Sequence, residues 1–557
     1  MIKESMSDAG SLYANEWLSR LTESRHDVFL QNIYGSDQQV LAERKKLLHQ
    51  AILAFLVRFG DLPVRIFRAP GRLNLRGMHV DTHGGWMNLM THQREVVMVA
   101  ASSASSRCTL VSCLSGYNQT EWDLADQSRF IRSDASWLQT VTADSFTPGT
   151  ADWSRYCLGA ALRLQHQFPA KGLTGVTAMV ASDLPVGASL SSSTALNLVS
   201  LMAFAAFNGL SLSLPHLLLA SRDVEWYAGA RSGLSDQAAI LAGQRDQIFH
   251  VAIDPDDPDV HAGKYIPFPD DLSLLVVNSC TTRMLSGAER VQYSLNRFAY
   301  SMALNVLQAE LFRAGYPAEK ASRMHRLSEV TPEALGGMSA LMNLLQSIPE
   351  TISLSDLKKR YAPDNLERDY ALYFDGVPEK EKPDQIPLRG PLLFGIAESA
   401  RAQRFPLVLQ EKNYALAGRL MSLGHAGDRV ASKEGNPFKA NVRDTALKNQ
   451  AAHALPVELI PGWYGASSPA LDMLVDAAID GGAFGASLTG AGIAGAVLAL
   501  CSRSKEEQVR QAILQCMQSR RYANVSGGDD VLRSTPVQEW VVANHAVSGA
   551  GEILLPF

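Results

Sequence analysis

The 557-residue sequence is short of several things at once. It has no stretch approaching the roughly 20 consecutive apolar residues that cross a bilayer. Its first residues, MIKESMSDAGSLYANEW, have neither the basic start nor the apolar centre of a secretory signal, so a cytoplasmic address is expected. Six scattered cysteines (Cys108, Cys113, Cys157, Cys280, Cys501 and Cys516) lack the paired spacing of a zinc knuckle and read as reduced thiols. Positive charge is not in excess: 51 Lys and Arg stand against 56 Asp and Glu, a net charge of −5. Nothing in that balance attracts nucleic-acid backbones or anionic membranes, and neither is expected as a partner. No lysine-bearing Walker sequence occurs, so any nucleotide must be held by another kind of loop. What remains is 46% apolar and 19% charged, the make-up of a folded globular chain, and its length asks for two lobes.

Periodicity sorts much of the chain into a mixed α+β order. DQQVLAERKKLLHQAILAFLVRFGD (37–61) spaces apolar residues as an amphipathic helix ending at Gly60. VRIFRAPGR (64–72) alternates like a strand that turns at Pro70 and Gly71. REVVMVAAS, LTGVTAMVASDLP, LSLLVVNSC and IAGAVLALC read as further strands, and PALDMLVDAAID as a helix. TALNLVSLMAFAAFNGL (194–210) is apolar on nearly every face, which demands a buried helix. YFDGVPEKEKPDQIPLRGP (373–391), rich in proline and charge, is expected as an exposed insertion.

Three glycine-rich stretches carry the chemistry. APGRLNLRGMHVDTHGG (69–85) gathers arginines, histidines and an aspartate at a strand end. One reading is a metal site on His79, Asp81, His83 and His92, residue types that hold zinc or iron. That reading leaves the other two stretches without a purpose. DLPVGASLSSSTALNLV (183–199) runs from a strand through Gly187, Ala188 and Ser189 into the buried helix. Unpaired N–H groups and the helix dipole there suit an anion, although Ser191 to Thr194 could equally serve only as helix caps. GASLTGAGIAGAVLAL (485–500) places Gly490, Gly492 and Gly495 at dinucleotide-fingerprint spacing, but a strand follows and no acidic residue lies between Glu507 and Asp529. A Rossmann site is therefore excluded.

Together these stretches resemble the GHMP kinase superfamily, most closely its galactokinase branch, over about residues 45 to 555. The first looks like the family's first motif, PVGASLSSSTA like its phosphate-binding motif, and GASLTGAGIAG like its third. VEWYAGARSGLSDQAAILAGQ (224–244) is similar to the segment bearing the catalytic aspartate, and VVNSCTTRMLSGAE (276–289) to the segment after it. The resemblance implies a ribosomal-protein-like N-terminal domain (45–268), a ferredoxin-like C-terminal domain (269–557) and an active site in the cleft, behind an extension over residues 1–44. It implies ATP and Mg2+ as cofactors and a small sugar or sugar acid as substrate. Asp236 matches the family's base for the anomeric hydroxyl, and Arg72 the arginine beside it. Ser193 and Glu225 match the magnesium ligands, with Gly229 and Gly233 expected to end a helix between the two carboxylates. Gly187, Ser189, Ser191, Ser192, Ser193, Thr194, Gly490 and Gly492 match the nucleotide loops. His79, Asp81, Met78 and Gly233 match positions around the sugar.

The pattern breaks in three places. Galactokinases read Gly-Glu-His-x-Asp where this chain has Gly77-Met78-His79-Val80-Asp81, so a glutamate near carbon 6 of the sugar is missing. Arg290 falls where they carry a sugar-contacting tyrosine, and Arg76 at a usually apolar position. Losing an anion and gaining cations would favour a uronic acid such as galacturonate, and GMHVDTHGG looks more like the plant galacturonate kinases. In the bland alternative Met78 fills an apolar gap and the arginines face water. Galactose, a pentose, and a catalytically silent sugar sensor of the galactokinase type stay open at this point.

Overall fold

The computed structural model describes residues 11–131, 152–230, 232–255, 257–281, 288–374, 377–527 and 535–555, with residues 136, 137, 139 and 532. The helix Gln38–Phe59 forms where the spacing put it: Asp37 accepts from the Val40 N–H at 2.9 Å, and Gly60, at φ 84°, ends it. Its Leu41, Leu48, Ile52 and Phe55 are buried in one cluster with Val97, Val99 and Met179 of the underlying sheet.

That sheet has nine strands among the described residues. Its main path runs Leu12–Tyr13, Pro63–Arg76, Trp86–Ser102, Val176–Ser182, Arg107–Ser112, Thr120–Asp123. Gly551–Ile553 adds to Pro63–Arg76, and Gln247–Ala252 to Trp86–Ser102. The turn expected at Pro70 and Gly71 is instead a register shift inside a strand that continues to Arg76. Pro70 has no N–H for the ladder, and a Cβ on Gly71 would stand 2.5 Å from Leu184 Cδ2, so this is where the strand can bulge. The bulge re-aims Arg72.

A second sheet orders Gly485–Thr489, Ala496–Ser502, Leu272–Asn278 and Val541–Ala543, all antiparallel. Leu471, Leu474 and Val475 of the helix Pro469–Asp480 share its core with Leu275, Leu488 and Val497. A third apolar cluster joins Val80, Met87 and Leu234 to the helices Ala288–Arg313 and Arg389–Gln410. Among its described residues, the stretch expected as an exposed insertion is exposed over Pro378–Glu381 and at Asp384 and Gln385; Gln385–Pro387 pairs with Thr351–Ser353, and Ile386, Leu388 and Arg389 are buried. Most of its charges lie before Ile386, and the residues after Pro387 feed the next helix. No helix among the described residues is long and apolar enough to cross a membrane.

Arg76, at the end of the bulged strand, ties these bodies together. Its guanidinium donates to the carbonyls of Leu420 and Met421 at 3.2 and 3.3 Å and to Ser487 Oγ at 2.9 Å, and lies 3.2 Å from Glu398 Oε1. Glu398 in turn accepts from the N–H groups of Gly77 and Met78 (2.8 and 3.2 Å) and from Arg401 Nε (2.6 Å). All three charged side chains are fully buried. A Cβ on Gly424 would fall 1.9 Å from Arg76 Nη1, so the helix Tyr414–Asp428 must carry glycine there.

Burial alone would raise the Glu398 carboxyl, but Arg76 and Arg401 hold it below its ordinary value. Glu398→Gln should therefore cost about 3 to 5 kcal/mol of stability at neutral pH, because two buried guanidinium groups lose their counter-charge. A depressed carboxyl contributes stability above its unfolded value, about 4.3, and loses it as pH falls through the folded one. Denaturant titrations should show the gap between wild type and variant constant from pH 8 to about 5 and narrowing below that range. A gap independent of pH down to the acid limit would show that Glu398 does not act as an ion.

Candidate active site

The bulge delivers Arg72 to Asp236. Arg72 Nε donates to Asp236 Oδ1 at 2.6 Å and Nη2 to Oδ2 at 3.0 Å, a bidentate pair, while Nη1 donates to the Ser189 carbonyl. Asp236 lies in the first turn of the helix Ser235–Ala242 and also accepts from the hydroxyls of Ser191 and, at 3.3 Å, Ser235. Its burial would raise the carboxyl pKa; Arg72 and the two hydroxyls outweigh that and hold it below the usual range. Asp236 is thus an ionised acceptor at neutral pH.

The serine run does not work as a set of caps. Ser191 sits at the helix start with φ 62° and caps nothing; its hydroxyl goes to Asp236. Ser192 opens the helix Ser192–Phe207, Ser193 bonds Tyr156, and the Thr194 hydroxyl donates to Glu225. Glu225 lies near the end of the helix Leu214–Tyr227, and Gly229, at φ 98°, turns the chain beyond it. Glu225 also accepts from Ser232 Oγ and, at 3.1 Å, from Gln237 Nε2. Burial and then the charge of Asp236 push its carboxyl up to about 7. An approaching cation would relieve that penalty, and the Glu225 carboxylate and the Ser193 hydroxyl, both within electrostatic reach of Tyr156, are hard oxygen groups of the kind Mg2+ prefers.

The two nucleotide-type loops touch. Gly187, Ser189 and Ser191 in one, and Gly490, Gly492 and Gly495 in the other, all have positive φ. A Cβ on Gly495 would fall 2.2 Å from Ser189 Oγ and displace that loop, and one on Gly490 would lie 3.1 Å from Arg72 Nη2 and crowd the pair. Ser189 Oγ donates to the Ala494 carbonyl at 3.3 Å.

On the other side of Asp236 lies the loop 77–85. Asp81 Oδ2 accepts from the Ser235 N–H (3.2 Å) and Oγ (2.8 Å), so one serine links both aspartates. Gly233 wraps Asp81: a Cβ there would sit 2.2 Å from its carboxylate oxygen. Buried Arg297, stacked 4.8 Å over Tyr293, lies within electrostatic reach of Asp81. His79 takes a left-handed φ of 61°, stacks on Tyr464 at 4.4 Å and brings Nε2 within 3.4 Å of Asp428.

Two expectations change here. Arg76 is no sugar-facing cation, because it is enclosed and its donors go to Glu398, Ser487 and backbone carbonyls. Met78, 2% exposed, packs with Leu275, Val277 and Leu488 of the second sheet, an apolar plug and not a sugar contact. The side chain of Arg290 lies outside the described residues. The metal reading fails as well: no group of three or more His, Cys, Asp or Glu among the described residues is placed to hold an ion. His92 pairs with Asn544 at 2.7 Å, and burial pushes both His83 and His92 down to about 4. Sequence reasoning missed Ser235, Tyr156, Asp428 and Glu398. Only Glu398 had a local signal, its i,i+3 spacing to Arg401, and that pattern ordinarily marks a solvated helix face.

Comparison with known proteins agrees with this arrangement. Residues 155–244 match the GHMP kinases N terminal domain, 406–518 the GHMP kinases C terminal domain, and 53–102 the galactokinase galactose-binding signature. A galactokinase of Roseiflexus sp. is 26% identical over 463 residues, covering 83% of this chain and 89% of its own. A Bos taurus galactokinase is 30% identical over 256 residues, 45% of this chain and 59% of the relative. The fold matches that of Lactococcus lactis galactokinase complexed with galactose, with TM-score 0.58 at 18% identity, covering 90% of this chain and 98% of that one. With both kinase domains and the galactokinase signature in one chain, the protein belongs to the galactokinase-like branch of the GHMP kinases and is a sugar kinase.

Proposed function

We propose that the chain transfers the γ-phosphoryl group of ATP to the anomeric hydroxyl of galactose. The observation that carries this reading is the partly buried bidentate pair of Arg72 and Asp236, set where the two glycine loops meet the loop bearing Asp81. A sugar hydroxyl is a poor nucleophile; Asp236 accepts its hydrogen bond, aligns it and takes its proton as the oxygen–phosphorus bond forms and the bond to ADP breaks. Arg72 keeps that carboxylate ionised and places positive charge beside the phosphoryl group in transit. The loop around Gly187 to Ser189 and the start of the helix Ser192–Phe207 present N–H groups to the phosphates, with Gly490 and Gly492 closing the other side. Ser193 and Glu225 would hold Mg2+, which neutralises charge on the phosphates when bound. Asp81, with Gly233 packed against it, and His79 select the sugar.

Galactose is favoured over galacturonate by charge. Arg76 is engaged by Glu398 and gives a substrate carboxylate no counter-charge, and Asp428 beside His79 is a further anion, while Arg297 is already faced by Asp81. The galactose-binding signature supports the same choice. Coupled ADP release should be fastest with galactose in a panel including galacturonate, glucuronate and arabinose, with a phosphate ester at carbon 1 by phosphorus NMR. Faster turnover of galacturonate would overturn the sugar assignment, and tight sugar binding without turnover would support the silent-sensor alternative.

Gly233→Ala separates the two substrates. Its methyl group would displace the Asp81 carboxylate, so KM for the sugar should rise about ten- to a hundredfold, the worth of one charge-assisted contact. KM for ATP should stay within about twofold, since changes at separate contacts act independently. Equal changes in both constants would remove Asp81 from the sugar site.

A further inference from the structure

The mechanism above uses nothing before residue 63, yet the helices Ala14–Thr22, Asp27–Tyr34 and Gln38–Phe59 send polar side chains inward. Arg44, its side chain 1% exposed, reaches Asp183 with both terminal nitrogens: Nη1 donates to Oδ1 at 3.0 Å and Nη2 to Oδ2. Asp183 Oδ1 also accepts from the Glu95 N–H at 2.9 Å. Behind it Glu95, fully buried, accepts from Tyr34 OH at 2.8 Å and from Arg68 Nε, and its Oε1 lies 3.8 Å from Arg44 Nη1. The N-terminal helices therefore supply Arg44 and Tyr34 to one closed network whose outermost member is Asp183.

Asp183 is the first residue after the strand Val176–Ser182 and the root of the loop that leads to Ser191. The far end of that loop is fixed differently: the Arg72 N–H donates to the Leu190 carbonyl at 3.2 Å, and Arg72 Nη1 to the Ser189 carbonyl. Between the two anchors Val186 is 65% exposed and Gly187 has open space around it. The loop is a short span pinned at both ends, and its conformation depends on the separation and tilt of the pins. A bidentate guanidinium–carboxylate contact constrains both, because two parallel hydrogen bonds fix the plane of the carboxylate as well as its position.

We propose that Arg44 is a positioning residue for the nucleotide: by clamping Asp183 it sets the loop 184–190 at the height where its N–H groups meet phosphate oxygens. This rests on the reading that the loop binds ATP, and it gives the N-terminal extension a role in that binding. Arg44 touches neither substrate, so its effect must pass through Asp183.

The test uses the full chain and calorimetric binding of a non-hydrolysable ATP analogue with Mg2+, and separately of galactose, alongside melting temperature. Arg44→Met and Asp183→Asn should each weaken nucleotide binding about tenfold, the worth of roughly one such contact, and leave galactose binding within about twofold. Arg44→Lys, which keeps the charge but not the fork, should recover part of the loss. A merely structural role would lower the melting temperature and change both ligands alike or neither; that result overturns the proposal. If Arg44→Met does not fold, Arg44→Lys and Asp183→Asn decide, and wild-type nucleotide affinity in both overturns it. A wild-type chain that binds no nucleotide would instead overturn the loop assignment, and this proposal with it.

Discussion

The contact between Arg72 and Asp236 is the constraint around which this molecule is arranged. A partly buried carboxylate without a partner would be pushed toward its protonated form, and the buried guanidinium of Arg72 would be costly alone. Each is tolerated because the other is present in a fixed plane, with Ser191 and Ser235 supplying further donors to the carboxylate. Satisfying that geometry imposes conditions on distant parts of the chain. The strand Pro63–Arg76 must bulge at Pro70, Gly490 and Gly495 must lack side chains, and the serine run must begin with a residue at positive φ. Buried ion pairs are weak devices for stability. A pair that dictates so much local backbone is better understood as holding an ionised acceptor in a place where water would otherwise do so.

Around it the site is built by subtraction as much as by addition. Gly233 exists to leave room for the Asp81 carboxylate, and Gly424 to leave room for Arg76. The chain spends two arginines and a glutamate on a dry junction between its parts, Arg76, Glu398 and Arg401, and that junction also orients the loop bearing His79 and Asp81 through the N–H groups of Gly77 and Met78. The C-terminal segment joins this scaffold: Arg68 donates to the carbonyls of Ser548 and Gly549, and Gly551–Ile553 pairs with the strand that carries Arg72.

Much of this was legible in the order of residues. The amphipathic spacing before Gly60, the apolar helix after the serines and the alternating strands all follow local periodicity, and local periodicity decided them. The three glycine stretches were legible because close backbone approach leaves few other choices of residue. What could not be read was anything set by partners far along the chain. Pro70 and Gly71 spell a turn, and only the packing of Leu184 makes them a bulge. Ser191 to Thr194 spell helix caps, yet their hydroxyls answer to Asp236, Tyr156 and Glu225. Arg76 looked like a free cation because nothing nearby in sequence announces Glu398, more than three hundred residues on.

The most direct test of the central claim is Asp236→Asn, which keeps the shape of the side chain and removes its charge. Single-turnover transfer from ATP to galactose should fall by about a hundredfold or more, the usual worth of a positioned proton acceptor. Calorimetry on the same protein should show galactose still bound within about tenfold of wild type, since ground-state contacts through Asp81 survive. A variant that transfers phosphate at close to the wild-type rate would contradict the account, whatever its affinity for either substrate.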